Sequence, residues 1–200
     1  MAKARQKLLD AALSLIRARG YAGTTVEELC ATAGVAKGSF FHHFTDKEAL
    51  AVAAADYWSE LTGAFFAEAP FHRHEDPLDR VLGYLDFRKT ILTGRIPEFT
   101  CLVGTMAQEV YETSPAIRDA CAASIAGHAA KVEADIAEAI ERHGIAADWT
   151  AQSLALHTQA VLQGAFILAK ATGDAAVAAQ SIDHLRRYLV LLFHNEQRKD

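Results

Sequence analysis

The chain has little of what interrupts or cross-links a fold. Four prolines and twelve glycines in 200 residues exclude a collagen-like or Pro/Gly-rich disordered chain and leave helices few breakers. Three cysteines, Cys30, Cys101 and Cys121, are too few and too scattered for a disulfide framework, and no pair has the spacing of a zinc site. His72 and His74 lie close together in a proline-bounded linker with no neighbouring cysteine. No glycine-rich phosphate loop or nucleophile elbow is present. An enzyme is therefore not expected, and neither is a cofactor. No window reaches about 18 uninterrupted apolar residues, so no membrane span is expected. The run from Met1 lacks the apolar stretch of a secretory signal. A cytoplasmic protein with reduced thiols is the expectation.

What is present is an alanine-rich helical chain. Hydrophobic residues make up 51% and charged residues 22%, an ordinary balance for a globular protein with a core. The net charge of −5 argues at first against a nucleic-acid partner, but it averages two unlike regions. Residues 1–50 carry 7 Lys+Arg and 5 Asp+Glu, net +2, and the remaining 150 carry 13 and 20, net −7. A mildly basic head precedes an acidic body.

Helical periodicity recurs throughout and no strand-like alternation competes. A first helix over Ala2–Arg19 stops at Gly20. Thr24 or Thr25 caps a short helix, Val26–Ala33, that ends at Gly34, and another short helix covers about Lys37–Phe44. Asp46 caps a longer helix reaching about Ala69. Pro70 and Pro77 bracket a linker. Further helices are expected over Pro77–Thr93 and Thr100–Tyr111, then from Ser114-Pro115 to His143. Asp148 is expected to cap the next, to Thr172, and Asp174 to start the last, fading near Asn195. The fold class is all-α, about nine helices, with residues 1–48 as a three-helix head and 49–200 as a larger helical body.

The segment Val26–Phe44 carries the chemistry. A helix-turn-helix needs a small residue at the crossing, a glycine at the turn and apolar residues that lock both helices. Cys30, Gly34 and the set Leu29, Ala33, Val35 and Phe40 meet those needs. The second helix also carries Lys37, Ser39, His42 and His43, too polar for burial, as a helix entering the major groove requires.

The run Gly20–Leu50, Gly-Tyr-x-x-Thr-Thr-Val-x-x-Leu-x-x-x-Ala-Gly-Val-Ala-Lys-Gly-Ser-Phe-Phe-His-His-Phe-x-x-Lys-Glu-Ala-Leu, resembles the DNA-binding domain of the tetracycline-repressor (TetR) family. That resemblance implies a homodimeric regulator, usually a repressor, that binds a double-stranded, pseudo-palindromic operator and is released by a small-molecule inducer. It implies that Lys37, Gly38 and Ser39 open the recognition helix at the base edges, with His42 beside them. His43 and Lys47 match phosphate-holding positions, and Thr25 caps the bracing helix. Position 41 departs from the pattern. Many relatives have tyrosine there, and Phe41 lacks the hydroxyl, leaving apolar packing on sugar or a thymine methyl. Lys37 is the side chain best suited to guanine O6/N7.

One head would bury too little surface for tight specific binding, so a dimer is expected. Leu154, Val161, Leu162, Phe166 and Leu168, with Ile182, Leu185, Leu189, Val190, Leu191, Leu192 and Phe193, make the last two helices apolar on more than one face. Two such helices from each subunit would build a four-helix interface.

The candidate effector contacts are Trp58, Phe65, Phe66, Tyr84, Phe87, Arg88, Cys101, Met106, Gln108 and His128. His128 falls on the apolar stripe Ile117, Cys121, Ile125, Val132, Ile136 and Ile140, and is the first polar contact expected for an anionic or carbonyl-bearing compound. The segment from Cys101 also resembles the central helix of a TetR subgroup that senses electrophiles or oxidants, which gives an alternative through a reactive Cys101. A helical interaction module without DNA binding is the other alternative.

Overall fold

The structure, a computed structural model, describes residues 2–196, and the side chains of residues 3–194. The described residues form ten α-helices and one 3-10 turn, without a strand: α1 (Ala2–Arg19), α2 (Val26–Ala33), α3 (Lys37–His43), α4 (Lys47–Ala67), the 3-10 turn Pro70–Arg73, α5 (Pro77–Thr90), α6 (Ile96–Phe99), α7 (Leu102–Val110), α8 (Pro115–Arg142), α9 (Ala151–Thr172) and α10 (Ala175–Glu196). The helix beyond the expected nine is α6, one turn within the segment that Gly94 and Pro97 mark as a break.

Local chemistry sets most of the boundaries. Thr25 and Glu28 form a reciprocal capping box at the start of α2, satisfying two amides that the first turn leaves open. Gly34 ends α2 in the left-handed region at φ 62°, where a residue with a Cβ is strained. Asp46 Oδ1 accepts from Ala49 N at 2.8 Å before α4. Asp76 caps α5 ahead of Pro77, and Ser114 Oγ accepts from Ile117 N at 3.3 Å at the start of α8. One cap differs from expectation. Thr150, not Asp148, caps α9, because Thr150 exchanges hydrogen bonds with Ser153; Asp148 stands two residues too early.

The chain divides into two compact units, residues 1–64 with 100–125 and residues 65–99 with 126–200. In the first, Leu8, Leu9 and Ile16 of α1, Leu29 of α2, Phe40 of α3 and Leu50 and Ala54 of α4 share a core with Leu102 and Met106 of α7 and Ile117 of α8. Each fully buried Leu or Ile there contributes roughly 1.5–3 kcal/mol of transfer free energy. In the second, Phe66, Tyr84, Leu85, Ile136, Leu154, Leu162, Ile182, Leu185, Leu189 and Phe193 form the core. Ala165, Ala169 and Ala178 allow α9 and α10 to approach closely. Helices α4 and α8 carry residues of both units.

Within the second unit, α9 and α10 bury one face and expose another that is also apolar. Leu154, Leu162, Phe166, Ile182, Leu185, Leu189 and Phe193 are buried in their own unit. Leu156, Ile167, Leu168, Tyr188 and Leu191 are exposed, Leu191 at 59%. Of the residues assigned to an interface by sequence, only Leu168 and Leu191 are in the exposed set. The rest of that exposed set is supplied by Leu156, Ile167 and Tyr188.

Candidate nucleic-acid interface and effector site

Helix α3 is held from beneath and bare above. Phe40 is completely buried and Phe44 nearly so, their rings 5.8 Å apart. Between these anchors, Lys37, Gly38, Phe41 and His42 are exposed and Ser39 and His43 are half-buried. Phe41 is 51% exposed, touching Phe40 edge-on at 5.2 Å. Half of a large apolar ring is thus left in water on a seven-residue helix. No side chain caps the start of α3, whose N-cap is Ala36. The turn before it is fixed by Val35 N donating to Cys30 O at 3.0 Å, and Cys30 is buried at the crossing, where burial pushes its thiol pKa up.

The charged residues are already engaged. Lys37 Nζ is ion-paired with Glu27, and the bond from Lys37 holds the Glu27 carboxyl below its usual range. Exposed pairs of this kind are weak, so a stronger acceptor in a groove can take Lys37. Lys47 Nζ donates to Tyr21 O and Thr24 O, both at 3.0 Å, and lies 4.2 Å from the Tyr21 ring centroid. It binds the α1–α2 turn to α4. His43 is held below its usual pKa by desolvation first and His42 next. Thr25 is exposed at the start of α2.

A residue the sequence reading missed stands on the other side of that turn. Glu109 of α7 accepts from Tyr21 N at 3.1 Å and Ala22 N at 2.8 Å. Gly20, at φ 83°, passes so close that a Cβ there would lie 2.2 Å from Glu109 Oε1. Lys47 therefore takes the turn's carbonyls and Glu109 its amides. Only the fold reveals this, since 88 residues separate Glu109 from Tyr21.

The second unit contains a cavity of about 330 Å³ lined by Phe66, Phe71, Val81, Tyr84, His128 and Val132, with Ala67, His72, Lys131 and Asp135 at its margins. Tyr84 and His128 line it, and Arg88 and Gln159, which do not, bond to them. Tyr84 Oη lies 2.9 Å from His128 Nε2. Arg88 donates through Nε to Tyr84 Oη and through Nη2 to His128 Nε2, each at 2.9 Å, while Gln159 Nε2 donates to Tyr84 Oη at 3.3 Å. The Arg88 guanidinium also lies over the Phe66 ring at 4.4 Å. Burial, then the charges of Arg88 and Lys131, push the His128 pKa down to about 3. The ring is therefore neutral at physiological pH.

Of the candidate effector contacts, the structure brings Phe66, Tyr84, Arg88 and His128 together. Phe65 and Phe87 belong to the same aromatic cluster, each within 5.6 Å of Phe66, but do not line the cavity. The other four belong to the first unit. Trp58 lies beneath the Arg17 guanidinium at 5.1 Å, Met106 is core, and Gln108 donates to Gly104 O at 2.8 Å. Cys101 Sγ caps α7, accepting from Gly104 N at 3.4 Å. Nearby Cys121 is fully buried, and desolvation pushes its thiol up to about 12, well out of the reactive range. Phe71, His72, Lys131 and Gln159 were missed. The first two read as linker between two prolines, whereas Gln159, a buried amide on an apolar helix, was a legible signal.

A short exposed helix set on a glycine turn, in a chain whose second unit is wholly helical, defines the class as a helix-turn-helix regulator. Residues 8–54 match the family described as "Bacterial regulatory proteins, tetR family". Residues 77–185 match the "Tetracyclin repressor-like, C-terminal domain". The chain belongs to the tetR family, and is a transcription regulator rather than an enzyme. It is 32% identical over 121 residues to the HTH-type transcriptional repressor NemR of Escherichia coli K12, covering 58% of each chain. Among solved structures it is similar to a TetR transcriptional regulator from Chloroflexus aurantiacus (28% identity, 94% and 95% of the two chains, TM-score 0.82). It is also similar to reduced E. coli NemR (25% identity, 92% and 95%, TM-score 0.79). The chain spans between 20% and 62% of the length of such curated relatives. No helix among the described residues is long and apolar enough to cross a membrane.

Proposed function

We propose that this regulator is a homodimeric repressor that binds a pseudo-palindromic operator and releases it when a small molecule occupies the second unit. The observation that carries the reading is α3 itself. Its anchors are buried while Lys37, Gly38, Phe41 and His42 are exposed, a division that serves a groove and not a core. Lys37 reads a guanine, Phe41 packs on sugar or a thymine methyl, and Ser39, His43 and Thr25 contact the backbone beside them. Lys47 contributes by holding the turn that positions α2. The functional division is a DNA-reading head, residues 1–48, and a sensing and dimerising body, residues 49–200.

The exposed apolar faces of α9 and α10 support pairing with a second copy, which sets two recognition helices about one DNA turn, ~34–36 Å, apart or a multiple of it. An effector shifts the population towards an arrangement with the wrong spacing, and α4, which carries residues of both units, is the lever. Selection of tight binders from a random duplex library tests this reading. An inverted repeat with half-sites one turn or a multiple apart is expected, and Lys37→Ala should relax preference at one position per half-site by about tenfold. Enrichment of no repeat would overturn it.

A further inference from the structure

The polar cluster that Tyr84 and His128 bring to the cavity has more donors than acceptors. Tyr84 Oη offers two lone pairs, and Arg88 Nε and Gln159 Nε2 donate to both. That leaves Tyr84 its own O–H to give, and the nearest acceptor is His128 Nε2, towards which Arg88 Nη2 also donates. A ring nitrogen has one lone pair. Four donors therefore meet three lone pairs, and one donor is left without an acceptor.

The charges are unbalanced in the same sense. Among the described residues no carboxylate is ion-paired with the Arg88 guanidinium. Lys131, at the margin, has no ion-pair partner among those residues either. The one carboxylate at the margin, Asp135, is held by Arg80 Nε at 2.7 Å, and Arg80 also binds Glu138. His128, neutral, offsets no positive charge. Arg88 is half-buried and Lys131 exposed, so an anion bound beside Tyr84 and His128 meets positive charge that no carboxylate has already taken. The other walls, Phe66, Phe71, Val81 and Val132, are apolar, and ~330 Å³ is at the small end of ligand cavities, roughly 300–1,000 Å³.

We infer that this cavity takes a small monocarboxylate on a single apolar ring, its carboxylate accepting the surplus donor of the Tyr84–Arg88–His128–Gln159 cluster and its ring lying among the phenylalanines. A neutral carbonyl would satisfy the hydrogen bond but not the charge. The inference rests on the reading of the second unit as the effector-binding part.

The test compares phenylacetate with phenylacetamide, near in shape and differing in charge, by calorimetric titration of the full chain at pH 7.5. Phenylacetate should bind saturably and at least about tenfold more tightly than the amide. Arg88→Met should lose that discrimination, with circular dichroism confirming its fold, and Lys131→Met should reduce it. Equal binding of acid and amide to the wild type would overturn the carboxylate while leaving the cavity as a sensing site. Binding by none of phenylacetate, benzoate, cyclohexanecarboxylate and their amides would overturn both.

Discussion

Lys47 shows how one side chain changes meaning between sequence and structure. Its position matches a phosphate contact, yet its ammonium donates to Tyr21 O and Thr24 O and lies against the Tyr21 ring. Lys47→Ala should therefore lower the thermal midpoint by several degrees as well as weaken all DNA sites alike. A variant with an unchanged midpoint would make Lys47 a plain phosphate contact. His128 supplies a pH prediction. Its folded pKa is about 3, below the unfolded value of about 6.5, so between the two the unfolded chain binds more protons. Stability then rises with pH across that window and is lost as pH falls through it. The groups facing it, Arg88, Lys131 and Tyr84, give it no negative partner. His128→Asn, which does not titrate, should show a smaller drop in midpoint between pH 7 and pH 5 than the wild type. Equal drops would contradict the assignment.

At the scale of elements, the head was the most legible part, because its signals are local. Thr25 with Glu28, and Gly34, mark ends that the backbone obeys, as Ser114 with Pro115 does beyond the head. Caps misled where two candidates stood close together, as with Asp148 and Thr150. The cavity and its polar cluster were half-legible: Tyr84, Arg88 and His128 lie on helical stripes, but Phe71 hides between prolines and Gln159 comes from a helix 75 residues beyond Tyr84. Trp58, Met106 and Gln108 have the right chemistry and fold into the other unit, which residue type alone does not reveal. Glu109 is the long-range equivalent in the first unit. Glu109→Ala leaves the Tyr21 and Ala22 amides without their carboxylate, and hydrogen exchange at those two amides should rise at least about tenfold while α9 and α10 are unchanged. Unchanged exchange at Tyr21 and Ala22 would mean that Glu109 holds nothing.

For the whole molecule, the net charge of −5 hides a head of +2 and a body of −7, and only the head needs to approach phosphate. The body's exposed apolar faces on α9 and α10 predict a dimer. Leu191→Asp combined with Leu156→Asp should convert it to a monomer by light scattering at micromolar concentration without loss of helicity, and a persisting dimer would place the interface elsewhere. The most direct measurement is fluorescence anisotropy of the full chain on the DNA upstream of its own coding sequence and on a scrambled duplex, across 50–200 mM salt. The account predicts a preference of about 10³ or more for the upstream DNA and affinity that falls steeply with salt. Equal affinity for both duplexes at physiological salt would contradict it.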